Sequence, residues 1–167
     1  EANRLIRDQQ EEQHCRMMST LALLRLCGAR AQLAYVGDTR IYWIRGGEII
    51  YQSKDHSIPQ MMVTCGEITY DQIRGHESRN LLTRALGYKE DVTAEHFAGR
   101  IRRGDRLLLC TDGLTNMVAD DDIAQVLREV PFFDATSILV DRALQAGGQD
   151  NITVLLMGVE ATEVNNG

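Results

Sequence analysis

The order in which strand-like and helix-like runs follow one another limits this chain more than any single residue does. Residues 1–16 are polar and free of Gly and Pro, and read as the end of a helix. Met17–Leu26 is a short apolar run that reads as a strand or, since Leu and Ala favour it, as a helix. Cys27-Gly28-Ala29-Arg30 is a turn and Ala31–Val36 a strand. Ile41-Tyr42-Trp43-Ile44, the turn Arg45-Gly46-Gly47 and the return Glu48-Ile49-Ile50-Tyr51 form a β-hairpin with favourable local chemistry. Ile58, Met61, Met62 and Cys65 then take helical spacing, Gly66 is a stop, and Thr69–Gly75 has room for one more turn. Strands resume at Thr93–Ile101 and Arg106–Cys110. Asp120-Asp121-Asp122 opens a helix with Ile123, Val126 and Leu127 as its apolar face. Pro131 stops it, Asp134 caps the next, and Gly147-Gly148 ends that one. Ile152–Met157 reads as a final buried strand. The series is not a regular βαβ alternation, so an α+β layered fold is expected and a doubly wound sheet is not.

A chain of 167 residues, 44% hydrophobic, can bury a core of its own, and a single domain over residues 1–160 with a polar tail at 161–167 is expected. The net charge of −6 argues against general binding to nucleic acid or anionic membranes, and three Phe, one Trp and five Tyr leave little for base stacking. No apolar run is long enough to span a membrane, and no apolar stretch of the signal-peptide kind follows Glu1-Ala2-Asn3-Arg4. The start at Glu1, not Met, suggests a processed, trimmed or partial piece. Cys15, Cys27, Cys65 and Cys110 form no C-x-x-C pair. Cys27 and Cys110 lie in apolar runs and read as buried thiols, and the expected location is the reducing cytoplasm. His14, His56, His76 and His96 are scattered and read as surface or hydrogen-bonded residues, not zinc ligands.

Chemistry is most readily carried by three aspartates at strand junctions. Asp38 follows Val36-Gly37, Asp112 lies between the Leu107–Thr111 run and Gly113, and Asp150 follows Gly147-Gly148-Gln149 ahead of a strand. Carboxylates held this way suit hard cations such as Mg²⁺ and Mn²⁺, and neighbouring glycines admit close approach. Each is also an ordinary turn dipeptide when taken alone. The acidic triplet Asp120-Asp121-Asp122 reads as a solvated helix start that complements the helix dipole.

Five motifs in order resemble those of the metal-dependent (type 2C) serine/threonine protein phosphatases of bacterial type. They are Val36-Gly37-Asp38-Thr39-Arg40; Lys54-Asp55-His56-Ser57; Asn80-Leu81-Leu82-Thr83-Arg84-Ala85-Leu86-Gly87; Leu109-Cys110-Thr111-Asp112-Gly113-Leu114; and Gly148-Gln149-Asp150-Asn151-Ile152-Thr153-Val154. The match spans about residues 18–158. The resemblance implies two packed antiparallel β-sheets flanked by helices, with residues 18–26 as a strand. It implies Asp112 and Asp150 as ligands of a two-metal Mn²⁺ or Mg²⁺ centre, and water, not a Ser or Cys nucleophile, as the attacking group on a phosphoserine or phosphothreonine of a protein. Cys110 keeps a core role, no catalytic residue is named beyond the metal ligands, and the substrate-binding residues stay open.

Asp38 matches an acid that helps hold a third, weaker cation in the family. Asn116 stands where an acid often follows, so a third site would lose charge. Arg40 reads as a structural salt bridge or clamp near Asp38, with a phosphate contact as the alternative. Residues 58–80 correspond to the family's flap. The phosphate-binding Arg and bridging Asp-Gly that open the family pattern have no match before Met18, where Asp8 is followed by Gln9, so the fold is expected to be N-terminally incomplete. Expected partners are phosphorylated proteins, substrates of a cognate Ser/Thr kinase. The alternatives are a catalytically inactive phosphatase-fold binding module and a phosphatase of the sporulation or sigma-regulator type.

Overall fold

The computed structural model describes residues 1–160; the expected tail at 161–167 lies outside them. Helix α1 spans Ala2–Gln13, and strands β1 (Leu21–Cys27), β2 (Arg30–Val36), β3 (Arg40–Arg45) and β4 (Glu48–Gln52) follow. Helix α2 (Ile58–Cys65) and a 3-10 turn at Tyr70–Gln72 precede β5 (Glu95–Arg100) and β6 (Arg106–Cys110). Helices α3 (Asp112–Thr115), α4 (Asp120–Glu129) and α5 (Phe132–Gln145) lead to β7 (Val154–Gly158). The strands form two antiparallel sheets, ordered β1-β2-β5 and β4-β3-β6-β7, with flanking helices, as the α+β reading and the family resemblance both anticipate. The ambiguous Leu-rich run is a strand, as the resemblance implies.

Chain contacts define two compact units. The first comprises Glu1–Arg25, Gln32–Thr39 and Ser53–Phe97; the second comprises Leu26–Ala31, Arg40–Gln52 and the chain from Ala98 onward. In the first unit α1 is pinned to the Asn80–Gly87 motif. The Asn3 side-chain amide donates to the carbonyls of Lys89 and Glu90, and its Oδ1 accepts from Gly87 N at 2.7 Å. Gly87 has φ +83°, and a Cβ there would meet Ile6 and the Met17 carbonyl, so only glycine fits. Helix α2 begins as its sequence predicts: Ser57 caps it through Gln60 N, Pro59 sits in the first turn, and Gly66 closes it at φ +78°.

The second unit is built on β3 and β6, which are interior strands of their sheet. Ile41–Ile44 and Leu107–Cys110 are buried throughout, which explains why both are unbroken apolar runs and not alternating ones. They pair antiparallel from Arg40↔Cys110 to Ile44↔Arg106, and β7 pairs with the other side of β6. Ile123, Val126 and Leu127 of α4 and Ala135, Leu139 and Ala143 of α5 share one core with Tyr42, Ile44, Leu108 and Cys110. Arg106 ties this core together at its rim, its Nη1 donating to the Leu127 and Val130 carbonyls at 2.6 and 3.0 Å and thereby satisfying the C-terminal end of α4.

Four local expectations are corrected. Cys27 is exposed, because β1 is an edge strand and Cys27 is its last residue before the Gly28 turn. Asp134 lies inside the first turn of α5 and does not cap it; the helix starts earlier, after Pro131, with Phe132 packed on Gly158 and beneath the Arg106 guanidinium. The last strand is half-buried, since β7 is an edge strand with Leu155 60% exposed. Asp120 is not a solvated helix start: Tyr42 Oη–H donates to its Oδ1 at 2.6 Å, Arg40 Nη1 lies 3.2 Å from the same oxygen, and Gln52 Nε2 donates to Oδ2 at 3.0 Å. Burial pushes the Tyr42 phenol well above its ordinary pKa, so it remains a donor.

Asp105, fully buried, anchors the start of β6. It accepts from Trp43 Nε1 at 2.9 Å, from Arg45 Nε and Nη2 at 2.8 and 2.7 Å, and from Arg102 N at 2.8 Å. Burial pushes its carboxyl pKa up, but the Arg45, Arg102 and Trp43 hydrogen bonds outweigh that and hold it below the usual range. A depressed folded-state pKa contributes stability above the unfolded-state value of about 3.9 and loses it as pH falls through the folded-state value. Asp105→Ala is expected to cost about 3 kcal/mol in urea unfolding at pH 7, from the orphaned Trp43 and Arg102 donors. Asp105→Asn is expected to show a flatter fall of stability than wild type below pH 4; an unchanged acid limb would contradict this account.

Candidate functional site

Asp112 sits where β6 ends. Leu107–Cys110 is held in the sheet on both sides, Thr111 leaves it, and Asp112 opens the four-residue helix α3 with Thr111 as its N-cap residue. Asp150 lies on the loop between α5 and β7, and its Oδ1 accepts from Asn151 N at 2.6 Å in a tight local turn. These two segments, 38 positions apart in sequence, are stitched together. Thr111 N donates to Thr153 O at 3.1 Å, and Thr111 Oγ1 donates to Asn151 O at 3.1 Å while accepting from Thr153 N at 2.9 Å. Gly113 completes the contact, since a Cβ there would run into the Asn151 carbonyl and approach its carbon at 2.9 Å. The glycine after Asp112 is therefore required by the backbone that carries Asp150 past it. Asn116, one turn on, donates from Nδ2 to Asp112 Oδ2 at 3.2 Å. The neutral residue noted in the sequence thus orients the Asp112 carboxylate and adds no charge to it.

Asp38 belongs to the first unit, half-buried in the turn after β2. Gly37 has φ +102°, and a Cβ there would collide with the Thr20 side chain, so this turn too admits only glycine. Thr20 and Thr39 share a 2.6 Å hydroxyl hydrogen bond across it. His56 grips the turn from the other side: its N donates to Gly37 O at 2.9 Å and its Nδ1 accepts from Gly37 N at 3.0 Å. The His56 ring stacks on Tyr35 with centroids 5.2 Å apart. His56 Nε2 lies 3.2 Å from Glu95 Oε1 and 3.2 Å from Arg84 Nη1, and Tyr35 Oη–H donates to Glu95 Oε2 at 2.9 Å. Burial, reinforced by the Arg84 guanidinium, lowers the His56 pKa below its ordinary value. Burial pushes Glu95 up, but the Tyr35 and His56 hydrogen bonds and Arg84 bring it below the usual carboxylate range. The expectation that His56 is a hydrogen-bonded residue agrees with these contacts.

Arg40 pairs with Asp120 and also lies 3.4 Å from Tyr42 Oη, structural contacts of the kind that the sequence reading favoured. Thr111, Asn151 and Thr20 were not singled out in the sequence. Thr111 carried one usable signal, a β-branched hydroxyl residue at the junction of an apolar strand and an Asp-Gly. Among the described residues no group of three or more His, Cys, Asp or Glu side chains is assembled closely enough to hold a metal ion.

Thr111→Val keeps the shape at the stitch but removes both side-chain hydrogen bonds, and is expected to lower stability by about 1–2 kcal/mol. Gly113→Ala forces a methyl group against backbone and is expected to cost about 1–3 kcal/mol. Urea unfolding of each variant checks both; wild-type stability in Gly113→Ala would mean that the two segments are not in contact.

No protein-family model matches the chain. Protein phosphatase PhpP of Streptococcus pneumoniae is 35% identical over 151 residues, covering 90% of this chain and 61% of PhpP. The chain thus spans about three fifths of that relative's length. The crystal structure of the Mycobacterium tuberculosis serine/threonine phosphatase PstP/Ppp matches at 35% identity with a TM-score of 0.87, over 95% of this chain and 68% of that one. The catalytic domain of PstP in complex with two manganese ions matches at 34% identity and a TM-score of 0.85, over 95% of this chain and 67% of that one. Similarity of this extent, in sequence and backbone together, settles the lineage that the five motifs suggest: the chain belongs to the metal-dependent (PPM, type 2C) serine/threonine protein phosphatase family.

Proposed function

We propose that this protein hydrolyses phosphoserine and phosphothreonine esters in proteins, in the cytoplasm, with Mn²⁺ or Mg²⁺ held in part by Asp112 and Asp150. One observation carries the reading: the Thr111–Asn151–Thr153 stitch and the Gly113 contact bring together the two Asp-bearing segments of the family motifs. The donor set fits a hard cation in kind, being one carboxylate at the first residue of α3, close after β6 and beside a glycine, and one on the loop before β7. It fits as part of a coordination shell, since among the described residues no group of three or more His, Cys, Asp or Glu is assembled to hold a metal ion. The bound cations supply charge stabilisation to the phosphoryl oxygens and activation of water. The chain's own part is orientation. Asn116 holds the Asp112 carboxylate, Thr111 sets the separation of the two loops, and the tight turn at Asn151 fixes Asp150. Asp38 is a further candidate ligand on the strength of its motif. The phosphoproteins are taken to be substrates of a cognate Ser/Thr kinase. Family membership favours the enzyme over an inactive binding module.

The whole gene product is expected to hydrolyse p-nitrophenyl phosphate in Mn²⁺ and to lose that activity in EDTA. Asp112→Ala and Asp150→Ala are each expected to lower the rate by about 100-fold or more, with little change in Tm, because a ligand is removed and not a core residue. Full activity in EDTA, or wild-type rates in both variants, would overturn the assignment. Little turnover is expected from residues 1–167 alone, for want of a third carboxylate in the cluster; robust turnover from them would show that two suffice.

A further inference from the structure

The Gly37–Asp38 turn is held by a buried imidazole whose protonation state its hydrogen bonds dictate. The donor in the Gly37 N···Nδ1 contact cannot be in doubt, because a main-chain amide has only a proton to offer. Nδ1 must therefore present its lone pair, and the single ring proton of neutral His56 must sit on Nε2. Nε2–H then faces Glu95 Oε1 at 3.2 Å, an acceptor that Tyr35 also orients. Arg84 cannot donate to Nε2 in this tautomer; its Nη1 finds Thr93 O at 3.2 Å and lies 3.6 Å from Glu95 Oε1. The Gly37 amide and the Glu95 carboxylate thus support one tautomer in one orientation. The same residue's main-chain N–H closes a second bond onto Gly37 O, so one residue engages both polar backbone groups of the glycine before Asp38. Thr20 fills the space where a Cβ would sit and holds Thr39 beyond it.

We propose that His56 is a positioning residue: its unprotonated Nδ1 clamps the Gly37 amide and so fixes the direction in which Asp38 presents its carboxylate. The clamp itself stands on the geometry alone; its bearing on metal rests on the functional reading above. Asp38 is flanked by a glycine free to take many conformations, and without an acceptor at Nδ1 the Gly37 amide is left buried and unpaired.

Two amide side chains separate this role from mere filling of space. Asn places an oxygen near the Nδ1 position, and Gln places its amide near Nε2, so His56→Asn keeps an acceptor for Gly37 while His56→Gln keeps the partner of Glu95. In the isotopically labelled wild-type chain, a through-hydrogen-bond coupling between Gly37 N and His56 Nδ1 is expected by NMR, with Nδ1 in its unprotonated range. Exchange of the Gly37 amide is expected to be at least about 10-fold faster in His56→Gln than in wild type, the loss of roughly one hydrogen bond's net stabilisation. In His56→Asn it should stay within a few-fold of wild type. Added Mn²⁺ is expected to broaden the Asp38 resonances in wild type and His56→Asn, and to do so less in His56→Gln. Absence of the coupling overturns the clamp. Equal effects of the two substitutions, whether on protection, on broadening or on folding itself, overturn it as well. Equal broadening of Asp38 in wild type and His56→Gln overturns the link to metal. If Mn²⁺ broadens none of Asp38, Asp112 and Asp150 in wild type, the metal reading fails, and the coupling and exchange results still decide the clamp.

Discussion

Strand β6 is buried on both faces and paired on both edges, and in the second unit most of what matters is measured from it. An interior strand cannot slip by one residue without turning Leu107 and Leu109 onto the face that Leu108 and Cys110 occupy. Polar groups hold the register at both ends. Asp105 fastens the start to Trp43 and Arg45 of β3, and Thr111 fastens the exit to Asn151 and Thr153. Asp112 is the next residue after that fastening, so its place is set by the sheet and not by a loop's own preferences. Loops that carry function gain accuracy when a rigid element ends immediately before them.

The carboxylates of the chain divide into two kinds according to what surrounds them. Asp105 and Asp120 are saturated with donors from Arg, Trp, Tyr and Gln side chains and serve packing. Asp112 accepts from the Asn116 side-chain amide, and Asp150 from the backbone N–H of Asn151. A neutral donor orients a carboxylate without cancelling its charge, whereas a guanidinium cancels much of its field at close range. That contrast agrees with membership in a phosphatase family of which one member's structure is in complex with two manganese ions.

Much of the architecture was legible in the order of residues. The hairpin at 41–51, helix α2 with its Ser57 cap and Gly66 stop, strand β6 and the start of α4 follow from spacing, branching and glycine placement, because those elements answer to local energetics. The local reading failed where neighbours decide. Cys27 was placed inside because its run is apolar, but β1 lies at a sheet edge. Asp134 had the chemistry of a cap, but the packing of Phe132 on Gly158 started the helix sooner. Asp120 read as solvent-facing because no pattern within its own helix announces Arg40, Tyr42 and Gln52, which are far off in sequence.

The sequence by itself determined that Asp38 and Asp112 sit beside glycines at strand junctions and that Asp150 stands two residues after one, and the five-motif order identified the family. Only the tertiary structure decided why those glycines cannot be anything else: the Asn151 carbonyl lies against Gly113, and Thr20 lies against Gly37. Only it showed that one threonine hydroxyl joins segments forty positions apart, and that Arg40 answers Asp120. The physical reason is common to all of these. Local propensity is fixed by a residue and its few neighbours along the chain, whereas close approach and hydrogen-bond saturation depend on which distant backbone the packed sheet brings alongside.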